Sequence, residues 1–282
     1  MKKNLLSVLA TLIFLGGIAL LGFPFILSII NENKQAAVVS DYKTAIKEYD
    51  KDKMEEERHK AKVYNDNLRG RVELTDPFDT SKGREGSEEY YTLLSVNGGS
   101  VMGAIRIPTI DVELPIYHGT DEETLDKGAG HLEKTSLPIG GESTHTVISA
   151  HTGSPIAPFF DDLIELKKGD VFLLDVLDET LAYKVDQIQV VLPHEIDDLA
   201  LVQGKDYATL VTCTPYGINS HRLLVRGERT DYEEDMEQGK HTNEETETEN
   251  RLRMIGIISV VLVIIVILVV FIVRRRNRKR CK

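Results

Sequence analysis

Between positions 90 and 229, apolar residues recur in short runs broken by Gly, Pro and Asp: VMGAIRIPTI, VELPIYHG, HTVISAHTG, DVFLLDVLDETLAYKVDQIQVVLP, YATLVTC and RLLVRG. Short runs rich in Val, Ile and Leu, bounded by turn formers, predict β-strands. Six or more of them in one domain-sized stretch predict a closed barrel or a sandwich, so the fold class is mainly β. Helical turns are expected at DEETLDKGAG and APFFDDLIEL. Upstream, the period changes. In 33–68, Val38, Tyr42, Ile46 and Tyr49 recur at helical spacing among Lys, Glu, Asp and Ala, which predicts one or two helices capped by Ser40 or Asp41. This arm either stands the β domain off a surface or packs on its side. Between the two regions, LTDPFDTSKGREGSEE is dominated by Pro, Gly, Asp and Ser and reads as a loop. Loops this long inside a compact domain tend to be functional.

Two stretches break the pattern by being almost wholly apolar. Leu5 to Ile30 carries no charge and follows Lys2 and Lys3; MIGIISVVLVIIVILVVFIV, 254–273, precedes RRRNRKR. About 20 helical residues span roughly 30 Å, the thickness of a bilayer's hydrocarbon core, so both predict membrane spans. A cleaved signal peptide is the alternative for the first; its length and the poor cleavage site in NKQAAVVS weigh against that. Basic flanks at both ends place both termini in the cytoplasm and the intervening region outside. The chain then divides into a first span (1–32), helical arm (33–73), loop (74–89), β domain (90–229), acidic tether (230–253), second span (254–273) and basic tail (274–282). The tether, with its repeated Glu and Thr, lacks the apolar residues a core requires. The formal net charge is −11 and no basic stripe lies outside the tail, which argues against a nucleic-acid partner.

This topology bears on the two cysteines. Cys281 lies in the cytoplasmic tail, so Cys213 is a lone thiol outside the cell. Such a residue is either a small buried hydrophobe or a reactive group. A thiol attacks as the thiolate and needs a base or cation nearby. The histidines are 59, 118, 131, 145, 151, 194, 221 and 241. His241 lies in the tether and His59 in the arm. His145 and His151 flank one strand and stand roughly 20 Å apart if it is extended, so at most one reaches Cys213. His151, where an apolar run meets Thr152-Gly153, occupies a strand exit like that of Cys213. TPYGINS would turn the chain back antiparallel and return Arg222 to the cysteine, where a guanidinium suits an oxyanion. Arg226 shares that face by alternation, and spacing does not separate the two. The histidines and cysteines match no zinc spacing, and no cofactor is expected.

TLVTCTPYGINSHRLLVRG resembles the TLxTC…R signature of the sortases, and HTVISAHTG resembles their histidine segment. The resemblance covers 76–229 and implies an eight-stranded sortase β-barrel with a Cys213, His151 and Arg222 site. The second span, and Asp76-Pro77-Phe78 in the loop, resemble the class C, pilus-building sortases of Gram-positive cell walls. That class implies a lid with Asp76 near Arg222 and Phe78 over Cys213. The implied activity is transpeptidation at an LPxTG-like sorting signal of a pilin, through a thioester, onto a lysine of the next pilin. Three rivals stand beside it: a housekeeping sortase acting on peptidoglycan precursor, a Cys/His peptidoglycan hydrolase, and a membrane-anchored binding module with a buried cysteine.

Overall fold

The computed structural model describes residues 2–68, 74–79, 87–154 and 157–232. The chain divides into two compact units: Phe25–Met236, which holds the barrel and the helical arm, and Met1–Pro24 with Glu237–Lys282. Two long helices lead in, α1 (Lys2–Glu48) and α2 (Lys51–Asn67). Eight strands and a short helix follow: β1 (Val101–Ile107), β2 (Val112–His118), α3 (Glu122–Leu125), β3 (Ala129–His131), β4 (Thr144–Ser149), β5 (Val171–Val176), β6 (Glu179–Val191), β7 (Asp206–Thr214) and β8 (His221–Thr230). The strands close into a barrel in the order β1-β2-β3-β4-β7-β8-β6-β5. The β2–β3 and β4–β7 pairs are parallel and the rest antiparallel.

Closure removes exposed strand edges and leaves two faces. The interior is packed by Ile105, Ile148, Phe172, Tyr183, Leu210 and Val225 among others. Phe172 and Tyr183 stack with centroids 5.6 Å apart. Beneath them, a Cβ at Gly227 would lie 2.8 Å from Phe172 and 2.9 Å from Tyr183, so glycine is required there for the rings to close on β8. In a core this tight, truncating one large aliphatic side chain costs about 2–5 kcal/mol.

The helical arm packs on the side of the barrel. Tyr42 Oη donates to Met102 O at 3.1 Å and accepts from Leu177 N at 2.9 Å, while Val39 and Ile46 are buried beside it. Asn65 is buried and makes a two-way clamp, donating to Leu137 O (3.1 Å) and accepting from Leu137 N (2.7 Å). Arg58 of α2 meets Asp178 in the β5–β6 turn and Glu179 at the start of β6. The expected caps at Ser40 and Asp41 are corrected: α1 continues through both, and the cap that exists is Asp50, whose carboxylate accepts from the amides of Asp52 and Lys53. DEETLDKGAG carries the expected helical turn, at Glu122–Leu125, and the stretch then ends in β3, too short to announce itself by alternation.

Among the described residues no helix is long and apolar enough to cross a membrane. The first expected span falls on the opening of α1. The second span and the basic tail lie outside the described residues, as does the tether beyond Tyr232.

Candidate active site

The site lies where β4 and β7 end and β8 begins. The parallel β4–β7 ladder runs to Ser149↔Val211. Beyond it, Ala150 N donates to Val211 O (3.2 Å) and Thr212 Oγ1 donates to Ala150 O (2.8 Å), holding the two chains together as they leave the sheet. His151 therefore emerges beside Cys213. On the other side, Cys213 pairs directly with Arg222 across the antiparallel β7–β8 ladder. Direct partners project from the same face. That face is the outer one, because Leu210, Leu223, Val225, Ile148 and Ala150 all belong to the interior core.

The outer face carries a small apolar cluster of its own, Leu132, Val147, Leu199, Val211 and Leu224, covered by Leu74 and Phe78 from the 74–79 segment and by Val191 and Ile196. Asp76 Oδ1 accepts from Phe78 N (3.3 Å) and Asp76 O accepts from Asp79 N (3.0 Å), so Asp76 builds the turn that aims the segment. Its carboxylate then grips Arg222, Nε to Oδ1 at 2.8 Å and Nη2 to Oδ2 at 2.6 Å. Arg222 Nη1 donates to Asn219 O and His221 O, both at 3.1 Å. Both carboxylate oxygens of Asp76 and three nitrogens of the guanidinium are thereby engaged. The Phe78 ring lies 5.9 Å from the His151 ring and 5.1 Å from Arg222 Cζ. Cys213 is buried.

Charge and burial act on the thiol in opposite directions. Burial pushes the Cys213 thiol up, Arg222 pulls it down, and Asp76 pushes it up again; the net shift is upward. Burial holds His151 below its usual range, against the pull of Asp126 and Glu122. Both shifts favour a neutral thiol and a neutral imidazole with the segment in place.

The remaining histidines serve the fold. His131 is fully buried, bonded to Tyr90 Oη (2.8 Å) and Ser136 O (2.9 Å), and burial lowers it to about 3. His145, bonded to Ala200 O and Thr209 Oγ1, is lowered to about 4 by burial. His118 is bonded to Leu93 O, and burial lowers it too. His59 lies on α2, and His194 and His221 on the surface connections and strand start. His241 lies outside the described residues. Arg226, which spacing alone left level with Arg222, is turned to Asp186. Among the described residues no group of His, Cys, Asp and Glu is placed to hold a metal ion. The apolar floor of Val147, Val211 and Leu224 escaped the reading of the sequence; its signal was the alternation in HTVISAH and TLVTC, two strands exiting on one face.

A family model described as "Sortase domain" matches residues 105–230. The crystal structure of sortase C-1 from Streptococcus pneumoniae is 48% identical, with a TM-score of 0.65, and the alignment covers 70% of this chain and 100% of that one. A structure titled pilus-related sortase C of Group B Streptococcus is 49% identical (TM-score 0.64), covering 69% of this chain and 97% of that one. "Sortase A" of Bacillus anthracis is 28% identical over 230 residues, 80% of this chain and 95% of that protein. The chain belongs to the sortase family and is a cysteine transpeptidase similar to the pilus-related, class C members.

Proposed function

We propose that this transpeptidase polymerises pilins, working on the outer side of a membrane that holds it by a span at each end. The observation that carries the reading is the pairing of Cys213 with Arg222 across β7 and β8, next to the exit of His151 from β4, with Phe78 against the His151 ring and Asp76 on Arg222. It is supported by the likeness to a structure titled as a pilus-related sortase, and by the basic-flanked apolar runs at 5–30 and 254–273.

In this reading the segment first leaves the site, freeing Arg222. Cys213 gives its proton to His151 and its sulfur attacks the threonine carbonyl of an LPxTG-like signal. The oxyanion that forms is held by Arg222. The intermediate collapses, the Thr–Gly C–N bond breaks, and His151 protonates the departing amine. A lysine amine of the next pilin then attacks the thioester, giving its proton to His151; the C–S bond breaks and an isopeptide bond remains. No cofactor takes part. The covered floor keeps water from the thiol until substrate arrives.

The test uses the full-length chain in membrane vesicles with recombinant pilin. SDS-resistant ladders are expected, and Cys213→Ala removes them together with the thioester adduct. Transfer to the amine of a peptidoglycan stem peptide, with none to pilin, would return the housekeeping reading. Release to water alone would return the hydrolase.

A further inference from the structure

Next to the outer apolar cluster that Leu74 and Phe78 cover, β4 carries a serine. Ser149 lies on β4 between Val147 and His151, paired with Val211. By alternation it faces outward with Val147, since Ile148 and Ala150 face the interior core. It is 0% exposed, and among the described residues its Oγ has no hydrogen-bond partner. Thr146 Oγ1 is likewise unpartnered but faces inward by the same alternation. A buried hydroxyl left unsatisfied destabilises the fold, and alanine would fill the same space without that cost. A second state in which something brings it a partner would account for the hydroxyl.

We infer that Ser149 reads the threonine side chain of the sorting signal, an inference that rests on the proposed LPxTG-like substrate. When the 74–79 segment leaves, the signal takes its place over the floor. Its leucine and proline suit Val147, Val211 and Leu224. With the cleaved carbonyl at Cys213, the threonine lies within one pleat, about 7 Å, of Ser149. Threonine is also the specified side chain upstream of the cleaved bond that carries a polar group. The Ser149 hydroxyl donates to, or accepts from, the threonine hydroxyl. A substrate with valine there leaves the serine as unsatisfied as it is now, so the site discriminates by an unmade bond. Ser149 is thus a specificity-determining residue.

The experiment compares two peptides, with threonine or valine before the cleaved bond, on the full-length chain in detergent. Both enzymes carry Asp76→Ala, so that Arg222 is not held by the segment. Ser149→Ala is expected to lower kcat/KM about tenfold on the threonine peptide and to leave the valine peptide within about twofold. Its Tm stays level or rises, since an unsatisfied group has gone, and this separates a lost contact from a damaged fold. An equal loss on both peptides, or none on either, overturns the inference while leaving the sortase reading intact. If the Ser149 enzyme cleaves neither peptide, the substrate assignment falls and takes the inference with it.

Discussion

Arg222 and Arg226 lie on the same face of β8, and each grips an aspartate through Nε and Nη2, with Nη2 at 2.6 Å in both pairs. Each guanidinium also covers an aromatic ring, Phe78 at 5.1 Å and Tyr207 at 4.3 Å. The chemistry is the same; the origin of the aspartate is not. Asp186 sits at the irregularity in β6 where the register shifts between Val185 and Gln187, and β6 is bonded to β5 on one side and β8 on the other. Its carboxylate is fixed by the barrel. Asp76 belongs to a turn whose described backbone bonds are to itself, held over the floor by Leu74, Phe78 and the arginine. Separating Arg226 from Asp186 requires the sheet to open. In the proposed mechanism the loop lifts away from Arg222 and takes the counter-charge from a guanidinium beside a thiol. On the proposed reading, two similar ion pairs make a brace in one place and a latch in the other.

The widest separation is expected from removing each arginine. Arg222→Ala should cut turnover of a sorting-signal peptide about 100- to 1000-fold, the loss typical of an oxyanion donor. Arg226→Ala should stay within a few-fold in turnover and instead lower Tm, because it leaves Asp186 without its partner. Equal catalytic losses in two folded variants would erase the distinction.

The next contrast concerns the aspartates. Asp76→Ala with Phe78→Ala should raise the rate at which a small alkylating reagent labels Cys213 by about tenfold to a hundredfold. That is the change that about 1.5–3 kcal/mol of charge-assisted hydrogen bonding sets on an opening equilibrium. Asp186→Ala should leave labelling unaltered and cost about 1–3 kcal/mol in denaturant unfolding. Unchanged labelling in the double variant would mean the segment does not guard the thiol.

The same pair of arginines shows where reading the sequence succeeds. Strand runs were legible because their apolar clusters are punctuated by Gly, Pro and Asp, and this holds for all but β3, whose three residues are too few to show a period. The cysteine and a histidine could be selected as strand-exit residues, and an arginine as one that the TPYGINS turn returns to the cysteine. Spacing left Arg222 level with Arg226 and only the resemblance named Arg222; the physical reason is the register Cys213↔Arg222 and the irregularity that turns Asp186 toward Arg226. Neither is local in sequence. The docking of the arm was open for the same reason: Asn65 meets Leu137 only through the fold. Ser149 looks like any strand serine until its neighbours are known.

The smallest effect is on pH. The groups acting on the Cys213 thiol are burial and Asp76, which push it up, and Arg222, which pulls it down; Asp186 is not among them. Asp76→Asn keeps the shape of the turn and removes one upward push, and it leaves Arg222 without a neutralising partner. The rise of alkylation rate with pH should therefore move to lower pH in Asp76→Asn, and should stay where it is in Asp186→Asn. Stability follows with a definite sign. A thiol raised by folding binds its proton more tightly in the native state, so its contribution is present below the unfolded thiol's pKa and fades as pH climbs through the folded value. The wild-type chain should lose Tm on the alkaline side, and Asp76→Asn should lose less of it. Profiles that shift alike in both asparagine variants would show that the field at the sulfur comes from the barrel as a whole, and that the latch contributes nothing distinct from the brace.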